Sequence, residues 1–170
     1  MKRILNRLDS VHQKLSTTVA AIDSNLFPKR PSENEWSVAE VIQHLLLVET
    51  RLLTGLELAL HAPPARVSPL KKLIPLRIVS VRLFRVKAPK AVEPLKSLPK
   101  EESLSSYNDV RARLKQFCIE YGRRQLNQTS IRHPFFGNIN GVTAVSMIAF
   151  HEQRHYRQIR EILKKLGQPA

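Results

Sequence analysis

Four stretches of the chain repeat apolar residues in steps of three and four, the period of a helix that buries one face. The first carries Ile4, Leu8, Val11, Leu15, Val19 and Ile22. The second runs from about Ser37 to Leu60, and its start is well marked. Ser37 and Glu40 stand at the S-x-x-E spacing of a capping box, in which each side chain satisfies a backbone amide orphaned by the first turn. Trp36 and Val41 flank that box in staple positions. The third stretch carries Tyr107, Val110, Leu114, Phe117 and Tyr121, with Gly122 loosening its end. The fourth begins after Gly141, carries Val145, Ile148, His155, Ile159, Ile162 and Leu166, and stops near Gly167-Gln168-Pro169.

Pro- and Gly-punctuated loops separate these stretches: Phe27-Pro28 through Asn34, Pro63-Pro64, and Arg132 through Gly141. No region alternates with period two for long enough to build a sheet. Lys72 to Val86 is the best strand candidate, but Pro69 and Pro75 argue against a central strand, so it reads as a short helix or an irregular crossover. The expected fold is all-α: a four-helix bundle with a long basic connection in the middle. With 170 residues, one domain spanning 1–170 is expected.

Charge complicates this picture. The formal net charge is +14, and from Arg66 to Lys100 there are ten Lys or Arg against one acid, Glu93. Such an excess suits a nucleic-acid binder, a membrane-surface binder or a protein with a solvated basic face. No recognised nucleic-acid motif is present, and only Phe84 could stack on a base within the basic stretch, so nucleic acid is not an expected partner. Leu70 to Arg85 mixes apolar and basic residues and could touch an anionic membrane surface weakly; packing of its apolar side on the bundle is the preferred reading. The N-terminus lacks the unbroken apolar stretch of a signal peptide, and no apolar run is long enough to span a bilayer. Cys118 stands alone, so no internal disulfide can form. A cytoplasmic protein is expected.

The chemistry concentrates in the fourth stretch, His151-Glu152-Gln153-Arg154-His155. Residues four apart lie one above the other on a helix, so both imidazoles share the face of Met147, Ile148 and Ile159 and can hold one ion at about 2.0–2.1 Å. On the second helix His44 lies among Val41, Leu45 and Val48, also near the apolar stripe. Three inward histidines match a catalytic metal site with an open position. His12, His61 and His133 lack this context and read as surface or loop residues. The string H-E-x-x-H is also a metalloprotease signature. However, the fifteen residues after His155 contain no histidine, and Glu161 is turned about 120° away, which argues against that class. Glu152 could accept a proton at such a site, although a solvated surface acid is the preferred reading. Tyr156 and Arg154 could line an entrance.

Three stretches together resemble the DinB/YfiT-like family of metal-binding four-helix proteins. Trp36 through Leu45 is similar to its W-S-x-x-E-x-x-x-H-L helix start. His133-Pro134-Phe135-Phe136-Gly137 is similar to its H-P-x-F-G loop, and His151 through Ile159 to its H-x-x-x-H-x-x-Q-I helix. The resemblance implies metal ligands at His44, His151 and His155, the residues already singled out, and commonly zinc or nickel as the ion. It also implies a metal-dependent enzyme acting on a small molecule, such as a transferase using a low-molecular-weight thiol as cosubstrate; a metal-dependent hydrolase or a non-catalytic interaction module are the alternatives. A homodimer is expected from the resemblance and from the apolar residues of 70–86.

Overall fold

The computed structural model describes residues 1–63, 89, 92–94 and 98–168. The elements are α1 (Lys2–Ala20), α2 (Val38–Leu60), α3 (Lys100–Gln128), β1 (Ser130–His133), β2 (Gly137–Asn140) and α4 (Gly141–Lys165). The molecule is a four-helix bundle. α1 lies chiefly against α4, and α2 against both α3 and α4, so the two helices that bear the histidines are direct neighbours.

The second helix starts where its local chemistry dictates. Ser37 Oγ accepts from the Glu40 amide at 3.2 Å, and the Glu40 carboxylate accepts from the Ser37 amide at 2.8 Å, which completes the capping box. Trp36 packs on the buried cluster that contains Val41. At α4, Asn140 caps the start by accepting from the Thr143 amide at 2.8 Å. Its end is a Schellman turn: Gly167 has φ +79°, the Gln168 amide donates to Leu163 O, and the Gly167 amide donates to Lys164 O.

Two differences from the sequence reading concern the approach to α4. The stretch read as a loop between Arg132 and Gly141 contains an antiparallel hairpin, with His133 opposite Gly137 and Ser130 opposite Asn140. Strands of four residues are too short to show an alternating pattern, and Pro134 and Gly137 dominate the signal. Gly137, at φ +62°, takes a left-handed conformation where the chain enters β2, which glycine adopts without steric cost. The third helix is also longer than its apolar seam: it begins at Lys100 and continues past Gly122, which breaks the helical path at φ +63°, ψ 176°. The strand candidate 72–86, and with it the expected membrane contact and dimer surface, lies outside the described residues. No helix among the described residues is long and apolar enough to cross a membrane.

Buried side chains form two main clusters. One holds Leu15, Val19, Ile42, Leu45, Val110 and Ile159; the other holds Leu8, Leu53, Leu56, Leu114, Val145 and Ala149. Between them runs a layer of buried polar groups. A smaller cluster of Ile139, Ala144 and Met147, joined by Phe136 and Ile131, seats the hairpin on α4.

Candidate metal centre

α2 delivers His44 nearly two turns inside its capped start, and α4 delivers His151 and His155 one turn apart. The structure brings these three rings together. His44 Nε2 lies 3.3 Å from His151 Nε2, and His155 Nε2 lies 3.1 Å from the same atom. One nitrogen from each ring falls within 4.8 Å of the others. Ligands at about 2.0–2.1 Å around a tetrahedral ion would sit about 3.3–3.4 Å from one another. The two short separations are therefore close to those of a ligand set.

For His44 and His155 the outward nitrogens explain why the inward ones are lone pairs. His44 Nδ1 donates to Val92 O at 2.8 Å, and His155 Nδ1 donates to Gln158 Oε1 at 2.9 Å. A neutral ring has one N–H, so spending it on Nδ1 leaves Nε2 as an acceptor or a ligand. Acceptors facing one another at these distances repel unless a cation lies among them. A single proton could bridge one pair; a divalent cation satisfies all three rings. Trp36 backs the His44 ring at 5.1 Å between centroids. The residues present thus fit a divalent metal.

Burial reinforces the neutral state. Desolvation pushes His44 below the usual histidine range, against the Val92 carbonyl, which favours the charged form. Desolvation first, then His44, Arg154 and His133, push His151 down to about 3. His155 is held well below its ordinary value by desolvation, followed by His151 and His44. Proton competition for these nitrogens is weak at neutral pH.

Glu152 departs from the sequence reading. A solvated surface acid was the preferred expectation, yet Glu152 is 0% exposed. Its carboxylate accepts from Tyr107 Oη at 2.5 Å, from Arg111 Nη2 at 2.9 Å, and meets His12 Nδ1 at 3.2 Å. Arg111 also donates to both oxygens of Glu49, at 2.7 and 2.9 Å, and to Leu8 O at 3.0 Å. His12, expected at the surface, is mostly covered and also contacts Asn108 Oδ1 at 2.8 Å. This layer draws one or more groups from each of the four helices. Glu49 and Arg111 were missed because charge was read as exposure. Each nonetheless occupies a seam position, Leu45-Glu49-Leu53 and Tyr107-Arg111-Leu114, in helical steps. Of the remaining histidines, His61 is exposed and His133 half-buried at the end of β1.

A four-helix bundle with a three-histidine candidate metal centre defines the class. The chain belongs to the DinB superfamily, whose model matches residues 5–159. It is 25% identical over 138 residues to YuaE of Bacillus subtilis, covering 81% of this chain and 83% of that protein. It is 21% identical over 158 residues to an Oceanobacillus iheyensis protein named "Putative metal-dependent hydrolase OB0413", covering 92% of this chain and 81% of that protein. Among solved structures it resembles YfiT from Bacillus subtilis, described as a probable metal-dependent hydrolase with an unusual four-helix bundle topology. There the TM-score is 0.70 at 17% identity, over 99% of this chain and 88% of that one. It also resembles TT2238, a four-helix bundle protein, at TM-score 0.63 and 21% identity, over 94% of this chain and 98% of that one.

Proposed function

We propose that this protein is a metal-dependent hydrolase of a small-molecule substrate, its divalent ion, zinc or nickel, held by His44, His151 and His155. The observation that carries this reading is the convergence of three Nε2 atoms, two of them on rings whose Nδ1–H is already committed to an acceptor. Bound there, a divalent ion supplies Lewis acidity and brings the pKa of water toward about 7, because three neutral ligands leave its charge uncancelled.

The chain's own residues supply placement. The cap at Ser37 fixes the start of the helix that carries His44, and the one-turn spacing of His151 and His155 sets the other two ligands. The same centre could hold a thiol as thiolate, the chemistry of a thiol transferase. The names borne by the Oceanobacillus protein and by YfiT favour hydrolysis over that transfer. Glu152 is assigned here to the bundle interior rather than to proton transfer at the centre, since Tyr107, Arg111 and His12 already engage its carboxylate.

Elemental analysis of protein purified without a histidine tag should give close to one zinc or nickel per chain. The loaded protein should cleave members of an ester, amide and phosphoester panel, and chelation should abolish that activity. Activity that appears only when a low-molecular-weight thiol is added would favour transfer. Absence of metal after loading with both ions would remove this reading.

A further inference from the structure

His133 closes β1, on the hairpin that packs against α4. Its ring contacts the Phe136 ring at 5.0 Å between centroids, and Phe136 packs on the cluster that contains Met147. Met147 lies one helical turn before His151 on the same face of α4. His133 is also near enough to act electrostatically on His151. The Phe135 and Phe136 amides both donate to His133 Nδ1, at 3.2 and 3.3 Å. Two N–H groups aimed at one ring nitrogen require a lone pair there, so the neutral ring carries its proton on Nε2. Among the described residues that Nε2–H has no hydrogen-bond partner, although the residue is half-buried.

We propose that His133 is a substrate-contacting hydrogen-bond donor. Its Nε2–H meets the substrate oxygen on which negative charge develops, while the substrate is held at the three-histidine centre. This rests on the hydrolase reading above. The hairpin suits the role. A protonated ring would set an N–H against two backbone N–H groups, so the turn holds the imidazole in its neutral form with the donor on the far side. Burial acts in the same direction and lowers the pKa of His133. A neutral donor aimed at developing charge stabilises that charge without first losing a proton.

His133→Asn is the informative variant. Asparagine Oδ1 can take the place of Nδ1 in receiving the two amides, so the turn is kept, but the side chain no longer reaches to the position of Nε2. Three measurements test the proposal. Long-range nitrogen–proton NMR on the metal-free protein should show His133 protonated at Nε2. Cobalt(II) uptake should be equal in the wild type and His133→Asn. Acetohydroxamate, a carbonyl probe followed by the visible spectrum of the cobalt-loaded protein, should bind the variant at least about tenfold more weakly. A proton on Nδ1, acetohydroxamate affinity within twofold, or loss of cobalt uptake in the variant would each overturn the proposal. The NMR result needs no metal, so failure of the donor role is distinguishable from failure of the metal reading. Failure of the wild type to take up cobalt would overturn both.

Discussion

Ser37 and Gln158 each act through a local hydrogen bond, and both effects can be measured. Ser37→Ala removes the acceptor at the start of α2 and should cost about 1 kcal/mol, which for a chain of this size is a fall of about 2–4 °C in Tm. An unchanged melting curve would show that the cap does not hold the helix. Gln158→Leu removes the acceptor that keeps the His155 proton on Nδ1, and should weaken metal binding by about 10- to 100-fold in a chelator competition. Gln158→Glu should restore it. At this scale the sequence was most legible where the chemistry is local. A capping box spans four residues and a histidine pair spans one turn, so both appear as spacings. The partners of His44 and His12 lie far off in the chain, and no spacing announces them.

At the scale of elements, the four helices were legible because each carries a long apolar seam. The hairpin was not, because four-residue strands between a proline and a glycine leave no periodic trace. The polar layer was the larger omission. His12, Glu49, Arg111 and Glu152 each occupy a seam position in helices otherwise read by their apolar residues, and they meet between two apolar clusters. Buried charges are tolerated only when paired, and in this layer the pairing joins groups from all four helices. Arg111→Met would leave two carboxylates buried without a cation and should cost about 3–5 kcal/mol by urea denaturation. Replacing Glu49, Arg111 and Glu152 together by Leu, Met and Leu should recover most of that loss, because the desolvation cost disappears along with the pairing. If the single variant proved as stable as the wild type, the layer would have no part in holding the helices.

For the whole molecule, the histidines of the centre, two buried and one half-buried, tie stability to acidity. An unfolded histidine titrates near 6.5, whereas His151 in the fold titrates at about 3 and His44 and His155 are also lowered. Between those limits the unfolded chain binds more protons than the fold, so the free energy of unfolding rises with pH. The contribution is whole above about pH 6.5 and drains away as the pH falls toward 3. Glu49, raised by burial, has the opposite sign. A comparison at pH 7.5 and 5.5 keeps mainly to the histidine window. The urea midpoint of the metal-free protein should fall between those two values, and in the triple variant His44→Leu/His151→Leu/His155→Leu it should fall much less. Saturation with zinc should raise the midpoint at pH 7.5, since an ion that binds only the fold stabilises it by mass action. Protons compete less well for nitrogens whose pKa is lowered, so part of that gain should persist at pH 5.5. A midpoint that rose with acid in the metal-free wild type would mean that the three rings are solvated and charged, and the closed, neutral ligand set described here would not exist.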